Sequence, residues 1–243
     1  MPVFNVSLAE MVFSISALYP STKAFFEQYI TDESPEFYVI LKPKDIEYER
    51  EQSVIQNKKE EFPERKFSDN YLETLAVLRK VADIAFNHGV VLFHGSVVAV
   101  EGKAYLFAAP SGTGKTTHTK LWLDLIPGSY VLNGDKPFLK INSGHVLACG
   151  TPWRGKERYG CNEILPLEAI CFLERDSENS ITPMVLNQAL QVLMSQIYLP
   201  NDTSSILKVL SMCKKIGNAT RLYRLKCNMD PDAAVVSSSA MLV

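Results

Sequence analysis

A glycine-rich octapeptide at residues 109–116, Ala-Pro-Ser-Gly-Thr-Gly-Lys-Thr, limits the possible fold of this chain more than any other feature. An apolar run at residues 104–108 precedes it, and a helical pattern follows it. Gly112 and Gly114 can adopt backbone angles that turn successive amides towards one point, where the helix adds its amino-terminal dipole. This is the pattern of a Walker A phosphate loop, with Ala109 in place of the usual first glycine. The octapeptide therefore predicts an α/β domain built around a strand, a P-loop and a helix.

The side chains of this loop predict a site for a nucleoside triphosphate and a divalent metal. Lys115 can reach the terminal phosphates, and the hydroxyl of Thr116 can ligate magnesium. A tight turn that contains two glycines and a lysine is the alternative, but the strand before it and the helix after it favour the phosphate loop. We expect ATP and Mg²⁺ as ligands, with contacts from seven residues: Ser111, Gly112, Thr113, Gly114, Lys115, Thr116 and Thr117.

A second candidate feature follows an apolar run at residues 130–132, which leads into Asn133-Gly134-Asp135. A carboxylate at a strand end beside the loop is where a magnesium ligand, or a base for an attacking hydroxyl, belongs. Asn-Gly is also a strong turn dipeptide, and the two interpretations are compatible. We expect Asp135 to act as a metal ligand and as a catalytic residue.

Three cations, Arg154, Lys156 and Arg158, lie close together in the segment that follows residue 150. Such a cluster is suited to neutralising a phosphoryl group during its transfer, and we expect Arg154 to be catalytic. A solvated loop around a buried Trp153 is the alternative, and both interpretations stay open.

Composition excludes several other classes of protein. The formal net charge is -2 and the pI about 6.1, without a long Lys/Arg run, so we expect no nucleic-acid partner. No apolar run approaches the roughly 20 residues that cross a bilayer, so we expect neither a membrane span nor a targeting segment. The five cysteines show no Cys-x-x-Cys spacing, which favours free thiols in a reducing cytoplasm. Neither His118 nor His145 has ligand spacing, and both are expected on the surface rather than in a zinc site.

The order of elements predicts a small α+β N-terminal appendage at residues 1–66 and a nucleotide-binding domain at residues 67–243. In the appendage, alternating patterns predict strands at residues 3–8, 12–15 and 37–41, and a short helix after Ser21. Residues 45–66 are charged and poor in aliphatic side chains, so we expect a solvated connection, part strand and part loop.

The second domain is predicted to begin with a helix from Ser68 that Gly89 ends. Glu101-Gly102 predicts a hairpin turn directly ahead of the phosphate loop. The remaining predicted strands cover residues 90–93, 96–100, 104–108, 130–133, 138–141, 146–149, 169–173 and 222–225, and helices cover residues 186–198, 204–216 and the segment from Pro231.

The loop, together with a strand that ends in Gly-Asp, resembles the nucleotide site shared by HPr kinase/phosphorylase and phosphoenolpyruvate (PEP) carboxykinase. The resemblance covers residues 91–173, and the hairpin with His94 ahead of it is most similar to the HPr kinase side. It implies a P-loop domain with a mixed β-sheet core and flanking helices, in which the catalytic His94 lies near the transferred phosphoryl group and the acidic strand end. HPr kinases normally have two adjacent aspartates at this strand end, whereas here Gly134 or Lys136, depending on the alignment, replaces one of them. The resemblance also suggests Glu163 as a second metal ligand.

These features favour an ATP- and Mg²⁺-dependent kinase that transfers a phosphoryl group to a hydroxyl of a protein or small molecule. The missing carboxylate keeps open a nucleotide-binding regulatory module with impaired catalysis. A PEP carboxykinase-like enzyme is a third hypothesis. The acceptor is not encoded in any recognised motif, and the resemblance favours a homo-oligomer.

Overall fold

The computed structural model describes residues 1–59, 66–200 and 205–243. Proximity of Cα atoms divides the chain into two compact units, Met1–Asn87 and His88–Val243. The described residues form a mixed α/β fold with seven α-helices, which agrees with the predicted fold class.

The first unit combines a three-stranded sheet with helices. Its strands are β1 (Val3–Leu8), β2 (Met11–Ser16) and β3 (Phe37–Ile40), and its helices are α1 (Pro20–Phe25), a 3-10 turn (Glu27–Tyr29), α2 (Pro43–Lys59) and α3 (Asp69–Asn87). Strand β2 lies in the middle, antiparallel to β1 and parallel to β3. Alternate residues of β1, namely Phe4, Val6 and Leu8, are buried, as the period of two along a strand predicts.

Helix α2 corrects the prediction of a solvated connection at residues 45–66. Its buried residues are mostly polar (Asp45, Glu49 and Asn57, beside one aliphatic residue, Ile46), and it packs on α3 through ion pairs. Glu49 accepts from Arg79 Nε at 2.6 Å, and Lys80 Nζ lies 3.1 Å from Asp45 Oδ2. A surface helix is usually recognised in a sequence by an apolar stripe. In α2 much of that stripe is replaced by charged residues whose partners lie on α3. Residues 60–65 lie outside the described part of the chain.

Helix α3 belongs to the first compact unit, because it packs against α1, α2, β2 and β3. The boundary between the compact units along the chain therefore follows Asn87, whereas the nucleotide-binding domain is predicted from the sequence to begin at residue 67. Compactness does not define function, so the functional division at residue 66 stays a prediction.

The second unit is built on one large sheet. Its strands are β4 (Val90–Leu92), β5 (Ser96–Val100), β6 (Lys103–Ala108), β7 (Tyr130–Asn133), β8 (Phe138–Ile141), β9 (Val146–Cys149), β10 (Ile164–Arg175), β11 (Ser180–Pro183) and β12 (Arg221–Cys227). Its helices are α4 (Lys115–Leu125), α5 (Leu186–Gln196), α6 (Ser205–Ala219) and α7 (Asp232–Met241). Strand β11 was not predicted, and β10 is longer at both ends than the predicted strand at residues 169–173.

The direction of the strands determines where the loops meet. The order is β4-β8-β9-β10-β6-β5-β7, with β12 parallel to β10 and β11 antiparallel to β12. Strand β10 is also parallel to β6, whereas β5 is antiparallel to both β6 and β7. The carboxyl ends of β6, β7, β10 and β12 therefore lie at one edge of the sheet, together with the amino end of β5. Ligands of open α/β sheets bind at such an edge.

Several predicted local features are present in this unit. Glu101 and Gly102 form the tight turn between β5 and β6, with φ angles of 50° and 74°. Trp122 of α4 is buried against Tyr105 and Phe107 of β6, which fixes the helix to the sheet. None of the helices in the described ranges is long and apolar enough to cross a bilayer.

Candidate nucleotide-binding site

Residues 109–116, here called the glycine loop, connect the carboxyl end of β6 to the first turn of α4. Gly112 and Gly114 have φ angles of 76° and 128°, which side chains other than glycine rarely adopt. A Cβ atom built on either residue would meet no atom within 4 Å. The glycines are therefore required for backbone conformation, and the space beside them is open. Exposed amides next to a helix amino terminus can bind an anion there.

Lys115 is the first residue of α4, and its ammonium folds back over the glycine loop. Lys115 Nζ donates to the carbonyl of Ala109 at 2.7 Å and lies 3.4 Å from that of Pro110. A phosphate is a stronger partner than a neutral carbonyl, because both of its interacting groups are charged. The ammonium can therefore exchange these carbonyls for a phosphate without leaving the loop.

Arg175, at the end of β10, is a loop contact that the sequence did not reveal. Its guanidinium donates to the carbonyls of Gly112 and Thr113, the latter at 3.2 Å. These bonds tie the glycine loop to the end of β10. Residues 110–113 and Leu173, Glu174 and Arg175 line a pocket of about 400 Å³ at this point. Arg175 was not predicted to contact the loop because the apolar run of β10 ends at Leu173, two residues before the strand ends.

The carboxyl end of β7 is held by a buried polar clamp formed by Asn133 and Thr151, both fully buried. Asn133 Oδ1 accepts from the amides of Asp135 at 2.9 Å and Lys136 at 2.8 Å. Asn133 Nδ2 donates to Thr151 Oγ1 at 2.9 Å and to its carbonyl at 3.1 Å. Thr151 Oγ1 in turn donates to the carbonyl of Lys136 at 2.7 Å. The clamp fixes the backbone that presents the Asp135 side chain.

Asp135 lies beside two nitrogen-bearing side chains. Lys136 Nζ is 2.7 Å from its Oδ2, and His94 Nε2 is 3.5 Å from its Oδ1. The amide of Gly95 also donates to the Asp135 carbonyl at 3.0 Å, which ties the approach to β5 to the end of β7. The structure therefore brings His94 and Asp135 together, as the resemblance implied.

Gly134 has no room for a side chain. A Cβ atom built on it would lie 2.8 Å from the carbonyl oxygen of Arg154 and 3.3 Å from that of Tyr159. Gly155 also approaches closely, since a Cβ atom there would be 3.0 Å from Asp135 Cβ. A second aspartate at position 134 does not fit this backbone, so Asp135 stands beside Lys136 rather than beside another carboxylate.

The segment that contains Arg154, Lys156 and Arg158 fits each of the two interpretations in part, a phosphoryl-binding cluster and a solvated loop around a buried Trp153. Trp153 is buried, with 5% of its surface exposed, whereas Lys156 and Arg158 are exposed. Arg154 is half-buried, and its side chain packs across Gly160. Of the three cations in this segment, Arg154 is the one that packs against the end of β7, beside Gly134 and Gly160.

Glu163 lies at the opposite end of β7. Tyr130, the first residue of that strand, donates its hydroxyl to Glu163 Oε2 at 2.6 Å, and this hydrogen bond raises the pKa of Tyr130 to about 12. A four-residue strand separates this pair from Asp135. The structure therefore does not place Glu163 as a second ligand beside Asp135.

His118 is buried, which corrects its expected place on the surface. Its ring packs edge-on against Phe107, and its Nε2 lies 3.0 Å from Ser237 Oγ. Trp122 Nε1 also donates to Ser237 Oγ, at 2.7 Å, so one hydroxyl on α7 serves two side chains of α4. Burial lowers the pKa of His118 to about 4. His145 is exposed, as predicted, and contacts Asn142.

The oxygen donors at this sheet edge fit magnesium better than zinc. Within residues 1–59, 66–200 and 205–243, no group of three or more His, Cys, Asp or Glu side chains lies close enough to hold a metal ion. Mg²⁺ commonly takes one or two carboxylates and fills its remaining positions with water and phosphate oxygens. Thr116, in the first turn of α4 after β6, provides a hydroxyl, and Asp135, directly after β7, provides one carboxylate. Strands β6 and β7 lie two strand spacings apart, about 10 Å.

No protein-family model matches the chain, and no curated protein matches it. Among solved structures, it is similar to the Hpr(Ser) kinase/phosphatase from Coxiella burnetii, with a TM-score of 0.37 and 7% sequence identity. The match covers 62% of this chain and 96% of the other. Similarity at this level is at most a weak resemblance of fold, so function has to be inferred from this chain's own residues.

Proposed function

We propose that the chain is an ATP- and Mg²⁺-dependent phosphotransferase of the HPr-kinase-like type, which phosphorylates a hydroxyl of a protein or small molecule. The observation that carries the proposal is the position of the glycine loop. It is open, rests on a helix amino terminus, and lies at the same sheet edge as the paired His94 and Asp135. The proposal places the enzyme in the cytoplasm, where ATP is abundant, and includes assembly into a homo-oligomer.

The loop residues bind the triphosphate in this proposal. Amides of residues 111–117 surround the phosphates, and Lys115 exchanges its carbonyl partners for the terminal phosphate oxygens. Thr116 and Asp135 hold Mg²⁺, which when bound neutralises charge on the phosphates. Arg154 supports the phosphoryl group from the end of β7 and contributes most as charge develops during transfer.

His94 receives the acceptor's proton in this proposal. A hydroxyl is a poor nucleophile at neutral pH, and a positioned base typically contributes about 10²–10⁴-fold to the rate. The close approach of Arg154 to Gly134 leaves no space for a second carboxylate, so Asp135 is the only aspartate at residues 133–136. With His94 Nε2 3.5 Å from Asp135 Oδ1, the carboxylate can orient the imidazole. The metal would then share the other oxygen, Oδ2, with the Lys136 ammonium or displace it.

A nucleotide-binding regulatory module is the second candidate, and the crowding at Gly134 favours it. If His94 does not serve as the base, the chain binds ATP but transfers its phosphate slowly or not at all. The PEP carboxykinase-like hypothesis gains no comparable support from the residues at this edge.

The test is phosphate transfer from labelled ATP to a cell extract, used as an unbiased pool of acceptors. Wild type, Asp135→Asn and His94→Gln are compared, with Lys103→Met at the far end of β6 as a control for substitution as such. The kinase proposal predicts labelling by wild type and the control, and loss of labelling with retained ATP binding in the other two. Strong labelling by all four proteins would show that the end of β7 carries no chemistry. ATP binding without labelling by wild type would establish the regulatory module instead.

A further inference from the structure

We propose that the pocket between the glycine loop and the end of β10 binds the nucleobase of the triphosphate, with the guanidinium of Arg175 stacked against the face of the base. The inference rests on the proposed function and deepens it, because it assigns the base to residues outside the glycine loop. Residues 110–113 line the pocket from the loop, and Leu173, Glu174 and Arg175 line it from β10.

The order of the strands determines the direction in which the ligand lies. Strand β6, which leads into the glycine loop, has β10 on one side and β5 followed by β7 on the other. His94 and Asp135 lie on the side of β5 and β7, so the terminal phosphate has to face that side for transfer. The ribose and base are attached to the opposite end of the triphosphate. A ligand whose phosphates rest on the loop therefore carries its base towards β10, where the pocket lies.

The pocket has the size and the surface that a base requires. Its volume of about 400 Å³ falls within the range of about 300–1,000 Å³ that is typical of small-molecule sites. Pro110 and Leu173 contribute apolar atoms to its lining. The carboxylate of Glu174 lies 3.0 Å from Arg224 Nε, an ion pair that offsets its charge beside a triphosphate. The pocket is therefore suited to a flat, largely apolar group.

Arg175 offers the base a flat surface whose position is already fixed. Its Nε donates to the Thr113 carbonyl at 3.2 Å, and its Nη2 donates to the Gly112 carbonyl. These two nitrogens share one edge of the guanidinium, so both bonds lie in its plane and neither occupies a face. Arg175 is exposed, which leaves surface for a ligand. An arginine plane stacks on aromatic rings, and its charge adds a cation–π attraction.

A purely structural role for Arg175 predicts a different result, which inorganic tripolyphosphate can reveal. Tripolyphosphate has three linked phosphates, like ATP, but neither ribose nor base. If Arg175 only holds the glycine loop, its replacement weakens the binding of both ligands by the same factor. If Arg175 stacks on the base, its replacement weakens the binding of ATP more than that of tripolyphosphate.

The first experiment measures both ligands by calorimetry in excess Mg²⁺, with wild type, Arg175→Lys and the control Arg50→Lys. Lysine keeps the charge and a donor for the loop carbonyls but lacks the planar surface. Arg50 is an exposed arginine of α2 that pairs with Asp69. Wild type and Arg50→Lys should bind ATP about tenfold more tightly than tripolyphosphate, and Arg175→Lys only about threefold more tightly. Equal affinity of wild type for the two ligands, or a preference for ATP that Arg175→Lys leaves unchanged, overturns the proposal.

The second experiment locates the base directly. The chain carries ¹³C in its leucine methyl groups and is saturated with ATP and Mg²⁺, and Leu173→Met identifies the Leu173 signals by their loss. The proposal predicts nuclear Overhauser effects between these methyl groups and the carbon-bound protons of adenine. A saturated complex without them overturns the proposal and leaves the glycine loop as a phosphate site. Failure of wild type to bind either ligand refutes the proposed function itself, and this inference with it.

Discussion

The glycine loop and the end of β7 both depend on glycine, but for opposite reasons. At Gly112 and Gly114 the backbone has positive φ angles, and the position of a Cβ atom is empty space. At Gly134 and Gly150, by contrast, a Cβ atom would lie 2.8 Å from the carbonyl oxygen of Arg154 and 1.9 Å from that of Cys161. The loop requires glycine for conformation, whereas the end of β7, together with the packed residues 150–161, requires it for space.

This contrast indicates that two regions at one sheet edge have different roles, an adaptable loop and a rigid strand end. The glycine loop is open, and Lys115 and Arg175 donate to its carbonyls, so a ligand can replace or join these contacts. The end of β7 is closed by backbone packing and by the clamp of Asn133 and Thr151, so its side chains keep their positions. A rigid group that faces an adaptable loop is suited to a site that must accept a ligand and still position one carboxylate.

The largest expected effect is on stability, at the packed side of the comparison. In Gly150→Ala the new methyl group collides with the Cys161 carbonyl, and nearby backbone must move, so we expect a loss of at least about 3 kcal/mol in unfolding free energy. Gly128→Ala is the matched control, because Gly128 has a φ of 74° and open surroundings. That strain alone should cost about 1 kcal/mol. Urea denaturation measures the unfolding free energy of both variants. Equal losses would contradict the claim that Gly150 is required for space and that open glycines such as Gly128 are required only for conformation.

The next effect depends on pH and concerns the buried support of α4 beneath the glycine loop. Folding lowers the pKa of His118 from 6.5 to about 4, so below pH 6.5 the unfolded chain takes up a proton that the folded chain does not. Stability should therefore fall as the pH drops from 6.5 towards 4, by up to about 3 kcal/mol at 1.36 kcal/mol per pH unit. Chemical denaturation across this range should show a shallower decline for His118→Gln. Parallel curves for the two proteins would contradict the buried, neutral state of His118.

The smallest effect on stability is expected on the open side of the comparison. Gly112→Ala introduces strain from positive φ but no collision, so the unfolding free energy should fall by about 1 kcal/mol. Relaxing that strain would turn the amides of the loop, and ATP affinity should fall by a larger amount than stability. Calorimetry and denaturation of the same preparation separate the two quantities. A large loss of stability with unchanged ATP affinity would mean that the loop is a structural turn.

Features formed by residues that are close in the sequence could be predicted from it, whereas contacts between distant segments could not. The strand, glycine loop and helix at residues 104–125 form one continuous pattern, and the hairpin turn at Glu101-Gly102 is equally local. Asp135 was recognisable because it directly follows an apolar strand. Asn133 could be assigned to a turn, but its bonds to Thr151 join segments that only the fold brings together.

Other features escaped prediction because polar residues occupy buried positions. Helix α4 presents His118 and Thr119 to the interior, where Ser237 and Ser96 provide partners from distant parts of the chain. Helix α2 was mistaken for a connection because its buried face carries Asp45 and Glu49. At these positions, hydrogen bonds or ion pairs take the place of the apolar contacts from which burial is normally predicted.

The most direct test of the central claim, that the glycine loop binds a nucleoside triphosphate, is calorimetric titration of ATP with Mg²⁺ into wild type and Lys115→Ala. Removing the ammonium that lies over the loop should weaken binding by about 2 kcal/mol, roughly thirtyfold in Kd. Lys120→Ala, an exposed residue on the same helix that pairs with Glu157, should leave the affinity unchanged. The account predicts this separation between two lysines of α4. Equal ATP affinity in wild type and a folded Lys115→Ala variant, or no binding by wild type, would contradict it.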